Sequence, residues 1–263
     1  MPGIAVFGIT GRMGQSLVRA LAGSALHLSG ALASPSSRRL GLDAVEEGVP
    51  CGVRVTADPQ TALRDAAVAL DFSSPLGLGA HAGACAARGV PLLVGTTGFD
   101  SDTRARLDAA ALVVPVLIAP NTSVGVGVLR QLAALAAAAL GAGFDVEISE
   151  AHHRLKRDAP SGTALALAEA VAGARGSALA EVAVYDRHGL SEPRRPGSIG
   201  FSSIRAGDIV GEHTVTFASD GERIELTHRA TDRMVFARGA LKAAEWLIGR
   251  PAGVYGMRHV LGL

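Results

Sequence analysis

The stretch IAVFGITGRMG, residues 4–14, decides the fold of the first half of the chain. Four apolar residues, typical of a short buried strand, lead directly into Gly8, Gly11 and Gly14, and a helical pattern follows over residues 12–22. Glycines in a strand-to-helix turn let backbone N–H groups and the positive helix end approach a pyrophosphate. The G-x-x-G-x-x-G spacing is a variant of the usual fingerprint, and an ordinary glycine-rich turn is the alternative. Its place in a βαβ pattern favours a dinucleotide site.

The first half continues to alternate short apolar strands with helices. Strands are predicted at 26–32, 68–72, 91–95 and 113–119, and helical runs at 76–88 and 102–111. Nearly continuous apolar strands between helices are typical of a parallel sheet that is covered on both faces. We therefore expect an α/β, Rossmann-like, doubly wound parallel sheet domain at the N-terminus.

The pattern changes after residue 121, which indicates a second domain. A helix at 124–140, a strand at 144–149 and a helix at 162–174 precede strand-like segments at 181–187, 198–205, 212–218 and 223–229, with a hairpin turn at 219–221. Residues 233–249 return to helical periodicity, with Val235, Ala240, Leu241 and Leu247 as core candidates. We expect residues 1–122 and 234–263 to form the dinucleotide-binding domain. Residues 123–233 should form an α+β domain with a mixed or antiparallel sheet, and residues 33–41 and 187–198 read as loops.

Composition favours a cytoplasmic protein whose partners are small molecules or further copies of itself. The net charge is +1 and aromatic residues make up 4%, which disfavours a nucleic-acid surface. Cys51 and Cys85 have no metal or redox spacing and are expected in the core. No charged leader precedes the first apolar stretch. The apolar run from Val124 contains Arg130 and Gln131 and falls short of the roughly 20 residues of a membrane span.

The second strand lacks the acidic residue that binds the ribose 2′-hydroxyl in NAD sites. Asp43 is the first acidic residue of the chain. A 2′-phosphate would meet cations and hydroxyls in this region, so NADPH is favoured over NADH, unless the arginines merely form a solvated loop. These residues are Arg12, Arg19, Ser34, Ser36, Ser37, Arg38 and Arg39.

The segment EAHHRLKRDAPSGTA, residues 150–164, concentrates the candidate chemistry. His152 and His153 leave a strand towards opposite sides, so at most one faces a given substrate atom. No cysteine or H-x-x-x-H spacing completes a metal site. A histidine pair close to Lys156 predicts an anionic ligand. The helix start at residues 161–163 offers free amides for an anion, or simply an N-cap.

This segment is similar to the signature of the 4-hydroxy-tetrahydrodipicolinate reductase family, which acts in lysine and diaminopimelate synthesis. Further similar motifs are GITGRMG at 8, DFSSP at 71, VGTTGF at 94, APNTSVGV at 119, RAGDIVGEHTVTF at 205 and TDRMVFARGA at 231. The resemblance implies an NAD(P)H-dependent reduction of 4-hydroxy-tetrahydrodipicolinate to tetrahydrodipicolinate with loss of water. It also implies a substrate domain that builds a homotetramer through its sheet.

The resemblance further implies roles for individual residues. His152 would be the proton donor and Lys156 its catalytic companion. The substrate would be bound by His153, Ser161, Gly162, Thr163 and Arg233. The resemblance places the cofactor at residues 8–13, 95–97 and 119–122, and the charge argument above adds the loop after the second strand. The full set of expected cofactor residues is Gly8, Ile9, Thr10, Gly11, Arg12, Met13, Ser34, Arg38, Arg39, Phe72, Ser73, Gly95, Thr96, Thr97, Ala119, Pro120, Asn121 and Thr122.

One departure from the family pattern concerns Ala33, where many members have an acidic residue, so NADH use is in doubt. Two other functions remain open from the sequence. Another two-domain NAD(P)-dependent dehydrogenase would share the glycine turn without needing the histidine-lysine segment. A non-catalytic dinucleotide-binding protein would bind NADPH and show no turnover.

Overall fold

The computed structural model describes residues 1–189 and 192–263 and divides the chain into two compact units. The first unit comprises Met1–Val124 and Met234–Leu263, and the second comprises Gly125–Arg233. The predicted loop at 187–198 includes residues 190 and 191, which lie outside the described residues.

The first unit alternates strands and helices along its length. Its strands are β1 (Gly3–Phe7), β2 (His27–Leu32), β3 (Val55–Thr56), β4 (Val68–Asp71), β5 (Leu92–Val94), β6 (Pro115–Ile118) and, near the end of the chain, β12 (Gly253–Tyr255). Its helices are α1 (Arg12–Ala20), α2 (Pro59–Ala62), α3 (Pro75–Arg88), α4 (Ser101–Ala111), α8 (Met234–Leu247) and α9 (Met257–Leu261).

The second unit is built around a smaller sheet. Helix α5 (Val124–Leu140), which lies in this unit from its second residue onward, leads into β7 (Asp145–His152), α6 (Gly162–Ala174) and α7 (Leu179–Val182). The remaining strands are β8 (Ala183–Val184), β9 (Ile199–Arg205), β10 (Gly211–Ser219) and β11 (Glu222–Ala230).

The sheet of the first unit is parallel throughout and has the strand order β12-β6-β5-β4-β1-β2-β3. Strand β1 is buried along its whole length because its side chains alternate between two apolar clusters. Ile4 and Val6 belong to one cluster, and Ala5 and Phe7 to the other. The doubly wound α/β prediction is confirmed, and the carboxyl ends of the strands share one edge of the sheet.

The sheet of the second unit has the order β11-β10-β7-β9-β8 and is mixed. Strand β10 pairs antiparallel with β11 and β7, whereas β9 pairs parallel with β7 and β8. Helices α5 and α6 contribute Leu129, Ala133 and Leu167 to the same apolar cluster as Ile148 and Phe217 of the sheet. The prediction of a mixed α+β unit is confirmed.

Several local predictions were wrong. Residues 181–187 were expected to form a strand, but α7 occupies the first two and β8 is only two residues long. The short elements β3, α2, β12 and α9 were not predicted, because they have too few residues to show a periodic pattern. Cys51 is exposed rather than in the core, because it lies in an irregular loop where its amide donates to Asp43, whereas Cys85 is buried.

The length argument against a membrane span also fails. Helix α5 continues through a 3₁₀ turn at Gly141–Gly143, and the combined 20 residues are long and apolar enough to cross a membrane by length and composition. That is weak evidence for a span, since a core helix passes the same test. Leu129, Ala133 and Ala137 of this helix are buried in the core of the second unit.

Candidate active site

The residues predicted to bind the cofactor lie after the carboxyl ends of five parallel strands. Residues 8–13 follow β1, residues 34–39 follow β2, residues 72–73 follow β4, residues 95–97 follow β5 and residues 119–122 follow β6. Ligands of doubly wound sheets bind at this edge, next to the point where the strand order reverses. In this sheet that point lies at β1, between β2 and β4.

The glycine turn brings three backbone segments close together. Gly8 has a φ of 80°, and a Cβ on it would come within 2.5 Å of the Phe72 carbonyl oxygen. A Cβ on Gly14 would lie 2.5 Å from the Gly8 carbonyl oxygen, so helix α1 approaches the turn closely. Gly11 is the N-cap of α1 and supplies no side-chain cap. The first amides of this helix therefore remain available to an anion.

The loops after β5 and β6 are tightly fixed. A Cβ on Gly95 would overlap the Phe72 ring, so only glycine allows this approach. The Ala119 amide donates to the Val94 carbonyl at 2.9 Å. Thr122 is buried, and its hydroxyl donates to the Phe236 carbonyl of α8 at 2.7 Å. The Thr122 side chain therefore anchors this loop to α8.

In the loop after β2, the two arginines that were predicted to meet a 2′-phosphate make different contacts. Arg39 donates through Nη2 to the carbonyls of Asp43, at 2.7 Å, and Val45, at 3.2 Å. Arg38 is exposed and makes no side-chain hydrogen bond or ion pair within the described parts of the chain. The hydroxyls of Ser34 and Ser36 lie 2.9 Å apart. Arg39 therefore shapes the loop, while Arg38 and the two serines are available to a ligand.

Asp43 organises the rest of this loop. Its carboxylate accepts the amides of Val45, Cys51 and Gly52 at 2.9, 3.2 and 2.8 Å. The hydrogen bond from Val45, with those from Gly52 and Cys51, lowers the pKa of the Asp43 carboxyl below its usual value. Gln15 of α1 also donates to the carbonyls of Ile9 and Ala44, which ties the loop to the glycine turn.

Glu150 is the centre of the candidate site in the second unit. It is buried in β7, and its carboxylate accepts His152 Nδ1 at 2.6 Å. Arg205 of β9 donates to both carboxylate oxygens, at 2.6 and 2.8 Å, and the Ser161 amide donates at 3.2 Å. Burial acts to raise the pKa of Glu150, but hydrogen bonds from Arg205, Ser203 and His152 outweigh it and lower the pKa from 4.5 to about 2. Glu150 is therefore a carboxylate at neutral pH.

The bond to Glu150 fixes the orientation of the His152 ring. A carboxylate can only accept, so Nδ1 carries a proton and Nε2 is the nitrogen that exchanges one. A Cβ on Gly211 would lie 3.2 Å from Nε2, so glycine keeps that side of the ring open. Burial lowers the pKa of His152 below 6.5, and the hydrogen bond and charge of Glu150 oppose that shift.

His213 of β10 completes the cluster. Its Nε2 lies 2.9 Å from Ser161 Oγ, and its ring meets that of His152 edge-on at 5.2 Å between centroids. Burial and the nearby His152 lower the pKa of His213 to about 4. His213 is therefore neutral at pH 7. Of the two histidines in this cluster, His152 is the one that can carry an added proton.

The start of helix α6 has the geometry of an anion cradle. Ser161 is its N-cap, and its hydroxyl accepts the Ala164 amide at 3.1 Å. The Gly162 amide has no hydrogen-bond partner among the residues that the structure describes. N-capping thus coexists with the open Gly162 amide, since one cap does not satisfy every amide.

The other predicted substrate residues are less constrained. Lys156 Nζ lies 2.8 Å from the exposed Asp158 carboxylate, and the Lys156 amide donates to the His153 carbonyl at 3.0 Å. Arg205 Nη2 also donates to the Asp158 carbonyl at 2.6 Å, so the segment is joined to the Glu150 cluster. His153 is half-buried just after β7, and Arg233 is the half-buried last residue of the second unit.

Sequence reasoning missed Glu150, Arg205 and His213. Their contacts follow from strand register, because His213 pairs with Glu150 across β10 and β7, and Arg205 pairs with His152 across β9 and β7. Period-two alternation places Glu150 and His152 on one face of β7, which was readable from the sequence. The pairing of β7 with β9 was not, because no local pattern specifies it.

The family model described as "Dihydrodipicolinate reductase, N-terminus" matches residues 3–122, and "Dihydrodipicolinate reductase, C-terminus" matches residues 125–261. The chain belongs to the dihydrodipicolinate reductase family. The resemblance noted from the sequence motifs is confirmed, and the family makes the chain an NAD(P)H-dependent oxidoreductase.

Individual relatives span the whole chain. The 4-hydroxy-tetrahydrodipicolinate reductase of Thiobacillus denitrificans is 52% identical, over 99% of this chain and 98% of the relative. That of Anaeromyxobacter dehalogenans is 50% identical, over 100% and 98%. The dipicolinate-bound dihydrodipicolinate reductase from Paenisporosarcina sp. TG-14 is 26% identical, with a TM-score of 0.79 over 98% of this chain and 99% of that one.

Proposed function

We propose that this chain reduces 4-hydroxy-tetrahydrodipicolinate to tetrahydrodipicolinate with NADPH, in lysine and diaminopimelate synthesis. The observation that carries the proposal is the hydrogen bond from His152 Nδ1 to Glu150, beside the open start of helix α6. The chain shares this reaction name with relatives that match it along almost their full length. The doubly wound unit supplies the edge at which a dinucleotide binds.

A dicarboxylate substrate fits the charges of the second unit. The solved relative holds dipicolinate, which carries two carboxylates. In this chain the amides of Gly162 and Thr163 and the Ser161 hydroxyl would hold one carboxylate, and Lys156 with His153 would hold the other. Arg233 is a further cation for the substrate. The ion pair of Lys156 with the exposed Asp158 costs little to exchange for a substrate carboxylate.

His152 is the residue best placed to supply the proton. When bound, the reduced nicotinamide supplies a hydride, and the reaction consumes one proton and releases one water. Glu150 holds Nδ1, which leaves Nε2 to deliver the proton, and the carboxylate stabilises the imidazolium before transfer. Lys156 assists by binding the negative charge of the substrate near His152.

The preference for NADPH rests on the loop after β2. Ala33 at the end of the strand has no carboxylate that could accept a hydrogen bond from a ribose hydroxyl. The exposed Ser34, Ser36 and Arg38 offer hydrogen-bond donors to a phosphate. Arg39 supports this site through the backbone of the loop.

We also propose a homotetramer that assembles through the sheet of the second unit, and a cytoplasmic location. The exposed apolar side chains Ile204 and Ile224 of strands β9 and β11 support an assembly through this sheet. The cytoplasmic location follows from the biosynthetic role of the family. Light scattering of the purified chain tests the assembly, and a monomer would contradict it.

A spectrophotometric assay tests the reaction. Freshly generated 4-hydroxy-tetrahydrodipicolinate is mixed with the protein and either NADPH or NADH, and loss of the reduced nicotinamide absorbance is followed. The proposal predicts turnover with this substrate and a higher kcat/KM with NADPH. Binding of NADPH without turnover would indicate a non-catalytic protein, and turnover only with other substrates would indicate a different dehydrogenase.

A further inference from the structure

Asp71 is a fully buried carboxylate at the end of β4, on the nucleotide edge of the first unit. Its Oδ1 accepts the Ser73 amide at 3.0 Å, the Ser73 hydroxyl at 2.7 Å and the Thr96 hydroxyl at 2.8 Å. Its Oδ2 accepts His81 Nδ1 of helix α3 at 2.7 Å. One carboxylate therefore joins the loop after β4, the loop after β5 and helix α3.

Backbone contacts reinforce the same junction. The Asp71 carbonyl accepts the amides of Gly95, at 2.9 Å, and Thr96, at 3.1 Å. The His81 ring packs edge-on against Phe7 of β1, with 4.9 Å between centroids. His81 is thus held in place by apolar packing and directs one nitrogen at Asp71.

Ser73, His81 and Asp71 have the residue types of a hydrolytic triad, but their geometry excludes that chemistry. In a triad the serine and the aspartate bond to different ring nitrogens of the histidine. Here Ser73 Oγ and Asp71 Oδ2 both face His81 Nδ1, at 3.5 and 2.7 Å, and the Ser73 hydroxyl bonds to Asp71 itself. The serine is therefore not activated by the histidine, and the cluster holds loops in position.

The loops that Asp71 joins lie on the opposite side of β1 from β2. In doubly wound folds the adenosine ribose lies at the end of β2, and the pyrophosphate lies at the glycine turn after β1. The nicotinamide half of a dinucleotide bound in this way would extend away from β2, towards the ends of β4 and β5, which lie on the other side of β1. These strand ends carry Ser73, Gly95 and Thr96, each of which donates a hydrogen bond to Asp71.

We infer that the Asp71–His81 pair is a positioning device for the nicotinamide half of the cofactor, which holds the loops after β4 and β5 in register with each other. The inference rests on the proposed dinucleotide binding and deepens it. Neither side chain needs to touch the cofactor, because both act through Ser73 and Thr96. Removal of the His81 donor loosens the loops on this side and leaves the adenosine side intact.

The test compares a whole cofactor with a fragment of its adenosine end. NADPH and adenosine 2′,5′-bisphosphate are titrated into the full-length protein and into His81→Ala. We expect the Kd for NADPH to rise about tenfold or more, by analogy with residues that orient metal ligands, and the Kd for the bisphosphate to change less than about twofold. His81→Asn places an amide donor near the position of Nδ1 and should restore most of the NADPH affinity. His27→Ala, at the exposed start of β2, is the matched control and should bind both ligands normally.

A second variant approaches the same carboxylate from the other loop. Thr96→Val removes the hydroxyl bond to Asp71 while keeping the side-chain shape. Because both variants loosen one junction, their combined effect on NADPH binding should be smaller than the product of the single effects. Fully independent effects would contradict a shared junction.

The binding results distinguish a failure of the positioning role from a failure of the proposed reaction. Equal loss of both ligands in His81→Ala, with a lower Tm, would show a merely structural residue and overturn the inference. Unchanged NADPH binding would also overturn it. A wild-type protein that binds NADPH but does not reduce the substrate would count against the proposed reaction only.

Discussion

Glu150 Oε2 lies 2.6 Å from His152 Nδ1, two residues along the same face of strand β7. The carboxylate is itself held by both terminal nitrogens of Arg205, so it cannot turn away from the ring. The imidazole is thereby fixed in one orientation, with Nε2 as its exchanging nitrogen. This arrangement is the core of the proton-donor role proposed for His152.

Glu150→Gln should impair proton donation without affecting the cofactor. The carboxylate raises the proton affinity of His152 against the effect of burial, so its loss should lower the pKa of His152 further. Activity that needs the protonated ring falls as pH rises through that pKa, and the midpoint of this decline in kcat/KM should move to lower pH in the variant. We expect kcat to fall by about 10- to 100-fold and the Kd for NADPH to be unchanged.

Glu212→Gln is the matched control for this variant, since Glu212 lies on β10 and pairs with the exposed Arg229. It should leave kcat and the pH profile unaltered. An identical pH midpoint in Glu150→Gln and the wild type would show that Glu150 does not set the proton affinity of His152.

The buried histidine cluster should make the protein sensitive to acid. The folded state keeps His213 neutral down to a pKa of about 4, whereas an unfolded histidine binds a proton near 6.5. Protons therefore favour unfolding, and the stability present above pH 6.5 is lost as pH falls towards 4, by up to about 3 kcal/mol. Glu150 adds a second loss as pH falls from 4.5 towards 2.

Denaturant unfolding at a series of pH values between 7 and 4 measures this loss. His213→Gln removes the titrating group but keeps an amide near Ser161, so its stability should fall less steeply between pH 6.5 and 4. A slope equal to that of the wild type would assign the acid sensitivity to other groups.

The two arginines after β2 should differ in their effects on cofactor choice. Arg38→Glu places a negative charge where a 2′-phosphate is expected, and should weaken NADPH at least about tenfold while NADH changes little. Arg39→Glu breaks the bonds to the Asp43 and Val45 carbonyls and should weaken both cofactors. Fluorescence titrations of both nucleotides measure this, with Arg104→Glu on the exposed face of α4 as the control. Equal effects of Arg38→Glu on NADPH and NADH would refute a phosphate site at Arg38.

Lys156→Ala should impair turnover of the substrate without affecting cofactor binding. Its ammonium group pairs with the exposed Asp158 carboxylate, so its removal should cost little stability. We expect a strong loss of kcat/KM with an unchanged Kd for NADPH. Wild-type turnover in this variant would remove Lys156 from the catalytic residues.

The sequence predicted much of the fold because the signals that define it are local. The strand, glycine turn and helix at residues 4–22 and the polar helix start at 161–163 each contain their own signal. Long elements such as α5 and α8 were located within one or two residues. The two-residue strands β3 and β8 have too few residues for any period to be read.

Only part of the candidate site could be predicted from the sequence, for the same reason. His152, Lys156 and Ser161 lie within ten positions of each other, so the sequence brings them together. Arg205 and His213 reach Glu150 through the pairing of β7 with β9 and β10, which is a long-range property of the sheet. The different roles of Arg38 and Arg39 depend on carbonyl directions that no sequence pattern shows.

The most direct measurement compares steady-state turnover and NADPH binding in His152→Ala and the wild type. Loss of the proton donor should lower kcat by at least about 100-fold, because the neighbouring His213 is neutral at pH 7 and cannot take over this role. The Kd for NADPH should stay within about twofold, since His152 belongs to the second unit and the glycine turn to the first. Turnover at the wild-type rate in His152→Ala would contradict the assignment of His152 as the proton donor.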